Sequence, residues 1–404
     1  MSANQNPQKR SQAIYNTNSL RQWTKEVMQH MSHLSTSQAA VLALWSFGIV
    51  LARSSGLSSV SALLATLEGQ KEASLRQRLR EWYWDKEAKR GHRRCELEVS
   101  HSFAALLSWV LSWWSSEERR LALAMDVTYL KDRFVVLAIS IVYRGCALPV
   151  AWKVLPTNHK KVWKDEWLAL LAAIADAIPT DWHVLVLADR GLYAPWLFST
   201  IRHRGWHPFL RINRGGKYRL ENSGQWYWLN DLAARPGSRC RLRVVCFKKQ
   251  PLRATLLVRW EPEHREPWLI LTDLPPEQAE AGWYGLRSWV ECGFKHTKRG
   301  GWQWQNTHMT DPDRASRLWL AMAVASLWVV SVGGETDASL PACSLEALPE
   351  THIARRRQRR AAPRLLSCFR RGILTIWVSL CLNMPIPVGV FTPEPWPNSL
   401  KTYP

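Results

Sequence analysis

Apolar residues recur along this chain in two textures. Up to about residue 114 they keep a helical period, and from residue 121 they gather in short blocks typical of buried strands. In the first part, residues 39–52 form one apolar segment, opened by the cap signal Ser35-Thr36-Ser37. Residues 57–67 form a second, and ASLRQRLREWYW (73–84) a third, with Leu75, Leu79 and Trp82 at i, i+4 and i+7. Residues 85–94, DKEAKRGHRR, are charged and poor in apolar side chains, and predict a linker before a helix over 95–114. Residues 1–15 are polar and predict a disordered start.

From residue 121 the period shortens. LALAM (121–125) predicts a strand ending at Asp126, FVVLAISIVY (134–143) a second, and LPVAWKVL (148–155) a third. A helix over 162–178 stops at Pro179, and HVLVLA (183–188) predicts a fourth strand that runs into Asp189-Arg190-Gly191. A helix over 195–204 and a strand near 209–212 complete the order βββαβαβ. That order is the one of an RNase H-like α/β core: three strands form an antiparallel meander and the fourth pairs parallel beside the first. Residues 213–273 read as five short basic strands broken by Gly, Pro and Asn, a small all-β insertion. The predicted domains are a helical unit at 16–94, the core at 95–212, the insertion at 213–273, a helical second part of the core at 274–332, and a basic, proline-rich tail at 333–404.

Candidate chemistry concentrates in WYGLRSWVECGFKHTKR (283–299). As a helix at about 100° per residue, Tyr284, Arg287, Glu291 and Lys298 share roughly 60° of arc, while Leu286, Trp289, Val290 and Phe294 face away. Cations suit phosphate oxygens, and a carboxylate suits a hard divalent cation. An exposed helix face with an Arg287–Glu291 pair would give the same pattern. In the expected topology Asp126 and Asp189 become neighbours although 63 positions apart. Two carboxylates that meet at strand ends repel each other unless a cation sits between them. Each aspartate alone would also serve as a turn starter after a strand.

The charge narrows the partner. A formal net charge of +21 points to a polyanion, with an acidic membrane surface as the competing reading. The longest apolar runs, 318–332 and 39–52, fall short of the ~18–20 residues that span a bilayer, so no membrane is expected. The opening MSANQNPQKR is polar, and the eight cysteines include no CxxC pair, which fits reduced thiols in the cytoplasm. Arg76, Arg78 and Arg80 stud the exposed arc of the third helical segment, which suits either a helix-turn-helix DNA reader or a solvated basic face. Most of the 25 tryptophans are expected in the core, and a few could stack on bases. The run ARRRQRRAAPR (354–364) reads as a solvated arm or a nonspecific nucleic-acid contact.

Over residues 35–332 the chain resembles the IS4-type DDE transposases of bacterial insertion sequences. The resemblance rests on LAMDVTYL around Asp126, VLVLADRGLY around Asp189, and Y-x2-R-x3-E-x6-K, met by Tyr284, Arg287, Glu291 and Lys298. It implies catalysis by Asp126, Asp189 and Glu291 on two Mg²⁺ ions, with Mn²⁺ as a substitute. It also implies DNA as the partner, transposon ends and target alike, and a homodimer when two ends are joined. Tyr284, Arg287, Lys298 and Arg190 would hold DNA phosphates, and Trp226 or Trp228 could stack a flipped base. A nuclease of the same fold without strand transfer, or an inactive DNA-binding descendant, shares these features.

Overall fold

In a computed structural model, residues 7–90, 95–159, 163–262, 264–339 and 366–397 are described, with side chains from residue 18 onward. Four helices come first: α1 (Pro7–His30), α2 (Thr36–Ala52), α3 (Leu57–Glu68) and α4 (Glu72–Tyr83). The cap signal before α2 closes as a capping box, in which Ser35 Oγ accepts from Gln38 N at 3.2 Å and Gln38 Oε1 accepts from Ser35 N at 3.0 Å. The expected disorder through residue 15 is replaced by helix from Pro7. Trp23, Val27 and Met31 are fully buried at i, i+4 and i+8, and a helix anchored at that end propagates cheaply toward its start.

Of the segment expected as a linker, residues 91–94 lie outside the described residues, and its start is bolted down. Asp85 takes Arg314 Nη2 at 2.6 Å and Arg317 Nη1 at 2.8 Å, and Arg317 also donates to Tyr83 O, Leu97 O and Glu96. Both arginines belong to a long apolar helix, introduced below, whose Trp328 stacks on Trp23 at 4.3 Å and on Phe47 at 5.8 Å. The helical unit therefore shares one hydrophobic core with the rest of the chain. It does not stand apart as an independent domain.

After α5 (Phe103–Ser112) come β1 (Arg120–Leu130), β2 (Phe134–Tyr143) and β3 (Cys146–Pro156) in an antiparallel meander. Through α6 (Lys164–Ala175) the chain returns as β4 (His183–Ala188), parallel to β1. Through α7 (Pro195–His203) it reaches β5 (His207–Arg211), parallel to β4. This is the arrangement that the βββαβαβ order predicts. The following strands are β6 (Lys217–Leu220), β7 (Tyr227–Trp228), β8 (Arg239–Cys246), β9 (Leu252–Arg259) and β10 (Trp268–Thr272), with the short α8 (Leu229–Leu232) between β7 and β8. They do not form a separate insertion domain. β10 pairs antiparallel with β5, so the sheet continues in the order β3-β2-β1-β4-β5-β10-β9-β8-β6-β7. Apolar β10, buried at every position and paired with β9 on one side, would leave its other edge unpaired if the insertion stood alone.

The two faces of the sheet are covered differently. One carries Ala122, Ala124, Leu185, Leu187 and Phe209, whose small alanines admit a closely packed segment. That segment is a 3₁₀ helix, Ala281–Ser288, running into α9 (Trp289–Thr297). α9 approaches β3 at Gly293, where an added Cβ would lie 2.8 Å from Ala147 O. The other face carries α10 (Pro312–Thr336), long and apolar enough to cross a bilayer, although the apolar run alone suggested otherwise. In this fold 94% of its most apolar window is buried inside the protein.

Where it is described, the region from residue 333 on packs against the rest of the protein. α11 (Cys368–Cys381) packs backbone to backbone on α10, since a Cβ at Gly372 would fall 1.8 Å from Val329 O. Beyond it Phe391 N donates to Trp113 O at 2.7 Å and Arg144 pairs with Glu394 at 3.6 Å. The arginine run at 354–364 lies outside the described residues.

His296 on α9 lies flat on Phe369 of α11, 3.9 Å between ring centroids and 4° between planes. Burial, then Lys295 and Arg370, lower its pKa to about 3. A base depressed by folding stabilises fully above its unfolded pKa of about 6.5 and loses that contribution as pH falls toward the folded value. His183, lowered to about 4 by burial and His207, acts in the same window. His296→Phe is therefore expected to lessen the fall in thermal stability between about pH 6.5 and 4. A pH slope identical to the parent's would remove His296 from this account.

Candidate active site

Register brings the two aspartates together. The β1–β4 pairing ends at Met125↔Ala188, and Asp126 and Asp189 are the next residues on the two strands. β1 does not stop at Asp126, as the sequence suggested, but continues to Leu130 against β2 alone. Asp126 therefore sits where β4 leaves the sheet, held within β1 and paired on one side with Ala138 of β2. Each carboxylate accepts the N–H of the following residue: Val127 N donates to Asp126 Oδ1 at 2.8 Å, and Arg190 N to Asp189 Oδ1 at 2.7 Å.

The segment over the acids departs from the expected single helix. Residues 281–288 are 3₁₀, in which i and i+3 eclipse, so Tyr284 and Arg287 stack on one line before the α-turns of Glu291 begin. Nor is that line exposed. Tyr284 and Arg287 are only 3% and 5% accessible, because they point down onto the sheet. Leu286, Trp289 and Val290 are buried as expected, so both faces of the segment pack.

Arg287 is the centre of the site. Its Nη2 donates to Asp126 Oδ2 at 2.9 Å and lies 3.9 Å from Asp189 Oδ2. Tyr284 OH donates to Asp189 Oδ1 at 3.4 Å. Lys298, at the end of α9, donates to Thr128 Oγ1 at 2.7 Å and Tyr129 O at 2.8 Å, two and three residues beyond Asp126. These three were expected on DNA phosphates. In the free chain Arg287 and Tyr284 are turned onto the acids, and Lys298 clamps β1.

The electrostatics follow this geometry. Burial pushes the Asp126 carboxyl up; Arg287 and the Val127 N–H oppose the shift, while the charges of Asp189 and Glu291 add to it. Burial also acts upward on Asp189, but Arg287, the Arg190 N–H and Arg211 outweigh it and hold that carboxyl below its usual range. Burial raises the Tyr284 hydroxyl, which stays a donor. Arg287 is disfavoured by burial, yet Tyr284 and the three acids hold it more firmly charged than a free arginine.

Sequence reasoning missed two members of the cluster. Arg211, buried at the end of β5, places Nη1 3.7 Å from Asp189 Oδ1, and Glu266 accepts from both Arg211 and Arg190. A signal existed: Arg211 is the lone charge in the apolar stretch Phe209–Ile212, two residues from the buried Phe209 and so on its face. Other candidates lie elsewhere. Trp226 and Trp228 belong to the β6–β7 end of the sheet, where β7 is six strands from β4. There Lys217 sits over the Trp228 ring at 4.3 Å and Arg219 over Trp226 at 5.8 Å. Arg76 is exposed on α4, and Arg80 is half-buried against Trp84 at 4.8 Å.

Among the described residues no three His, Cys, Asp or Glu side chains are grouped closely enough to hold a metal ion as they stand. The donor chemistry nevertheless fits a divalent cation. Asp126 and Asp189 are hard oxygen donors on adjacent strands, and a guanidinium already holds cationic charge between them. Arg287 Nε is buried without an acceptor among the described residues, so the guanidinium has spare donor capacity toward an incoming anion.

A five-stranded 3-2-1-4-5 core with carboxylates where its central parallel strands part fits an RNase H-like enzyme core. Residues 140–328 match the family described as a transposase DDE domain, which supports a DDE transposase. The match contains Asp189 and Glu291 and begins after Asp126. No curated protein matches the chain.

Proposed function

We propose that this protein is an IS4-type transposase, acting on DNA in the bacterial cytoplasm, that cuts at insertion-sequence ends and joins the freed 3′-hydroxyl to target DNA. The observation that carries this reading is the Asp126–Asp189 pair, set side by side by strand register with Arg287 between them. Asp126, Asp189 and Glu291 would hold Mg²⁺ or Mn²⁺. Bound there, the metal supplies water of lowered pKa and neutralises charge on the leaving oxygen.

The chain's own residues do the rest. Arg287 gives up the carboxylates and turns its guanidinium to the phosphodiester, for which it already carries an unused donor. Tyr284 OH keeps Asp189 oriented, and Lys298 fixes β1 through Thr128 and Tyr129 so that Asp126 keeps its place. Two ends must be cut and joined in one complex, which calls for a homodimer on DNA.

The test is a plasmid carrying this reading frame with its native flanks, incubated with the protein and Mg²⁺ and mapped for breaks and joined products. Breaks at the element ends together with target joints support the proposal. Breaks without any joint would favour a nuclease of the same fold, and DNA binding without breaks an inactive descendant.

A further inference from the structure

Beside the acids, two guanidiniums converge on one oxygen. Glu266 Oε2 accepts from Arg190 Nη1 at 2.8 Å and from Arg211 Nη2 at 3.0 Å. Arg211 is buried on β5 and fixed further by Pro267 O at 3.3 Å, while its other nitrogen, Nη1, lies 3.7 Å from Asp189 Oδ1. The carboxylate differs in kind. Glu266 sits in the loop between β9 and β10 with 41% of its side chain exposed, and Arg190 is exposed to 47%. A buried cation thus faces a solvent-accessible anion.

We propose that Arg190 and Arg211 form a phosphate-binding subsite, and that Glu266 occupies it in the free protein as a built-in substitute for a phosphate oxygen. Two guanidiniums sharing one oxygen are the arrangement that a phosphodiester oxygen accepts. The charge balance points the same way. Arg190, Arg211 and Arg287 face Asp126, Asp189 and Glu266, with the Glu291 charge also acting on Arg287, so the cluster as folded has no excess of positive charge and little net pull on an anion. A phosphate that displaces the Glu266 side chain into water finds two preset donors within one side chain of Asp189. The ligand class is a phosphodiester of DNA flanking the scissile bond, which rests on the function proposed above; the anion subsite itself does not.

The experiment separates the two. Glu266→Gln keeps the side-chain shape and removes its charge. In EDTA, its thermal stabilisation by inorganic phosphate and its affinity for a fluorescent DNA duplex are compared with the parent. Asp181→Asn, which removes an exposed acid paired with Arg119 away from the site, controls for net charge. Glu266→Gln is expected to bind both anions about three- to tenfold more tightly, beyond the control. Adding Arg190→Gln should cancel the gain. A gain for phosphate without one for DNA keeps the subsite and overturns the DNA reading. Unchanged or weaker binding of phosphate by folded Glu266→Gln, or a gain equal to that of Asp181→Asn, overturns the subsite.

Discussion

Asp126→Asn, Asp189→Asn and Glu291→Gln, made singly, are each expected to lower metal-dependent strand cleavage by at least about 10³-fold, equivalent to roughly 4 kcal/mol of barrier. The amides keep the shape of the side chains and their hydrogen bonds to Val127 N and Arg190 N, but remove the charge that a divalent cation requires. Duplex binding should survive, because the net charge of +21 drives it and rises on substitution. A folded variant that cleaves at near the parental rate in Mg²⁺ would take that residue out of the catalytic set. Asp126→Asn carries a second readout. Burial disfavours the Asp126 charge, so neutralising it should not unfold the protein even though it frees one arm of Arg287.

Arg287→Met is expected to destabilise the metal-free protein and to cut poorly. Its loss leaves Asp126 and Asp189 facing each other without compensation. Breaking a fully buried ion pair costs about 3–5 kcal/mol; roughly 2–3 is expected here, because Asp189 keeps 35% of its side chain in solvent. A divalent cation should then stabilise the variant more than the parent, since in the parent it must first displace a guanidinium. Melting curves in EDTA and in Ca²⁺ or Mg²⁺ read both effects. If Arg287→Met melts like the parent in EDTA, Arg287 is not what holds the acids together. If it gains no more from the cation than the parent does, the cation does not enter between them. Cleavage should fall about ten- to a hundredfold with the loss of one charge-assisted phosphate contact.

Local patterns in the sequence carried a large part of this structure. The capping box before α2, the period of α4 and the apolar blocks of β1 to β5 are short-range properties, set by backbone propensity and side-chain spacing. The βββαβαβ order then leaves few ways to close a sheet, which is why Asp126 and Asp189 could be paired across 63 positions. The spacing of Tyr284, Arg287 and Glu291 marked the segment that covers them, whichever helix type it took.

Only the tertiary structure decided what those residues touch. No period in the chain says that residues 281–288 wind as 3₁₀ where they share a core with Ala122 and Ala124. The helical wheel shows a polar face, and the fold turns that face inward, where Arg287 is the counter-charge the two carboxylates need. Strand pairing between β5 and β10 is likewise long-range. It merged the basic insertion into the main sheet, brought Glu266 beside Arg211, and left Trp226 and Trp228 at the far end. Sequence marked the candidate residues and the elements that hold them. Burial and pairing between distant segments determined their partners, because the electrostatics of a buried charge depend on its neighbours in space, which spacing along the chain does not encode.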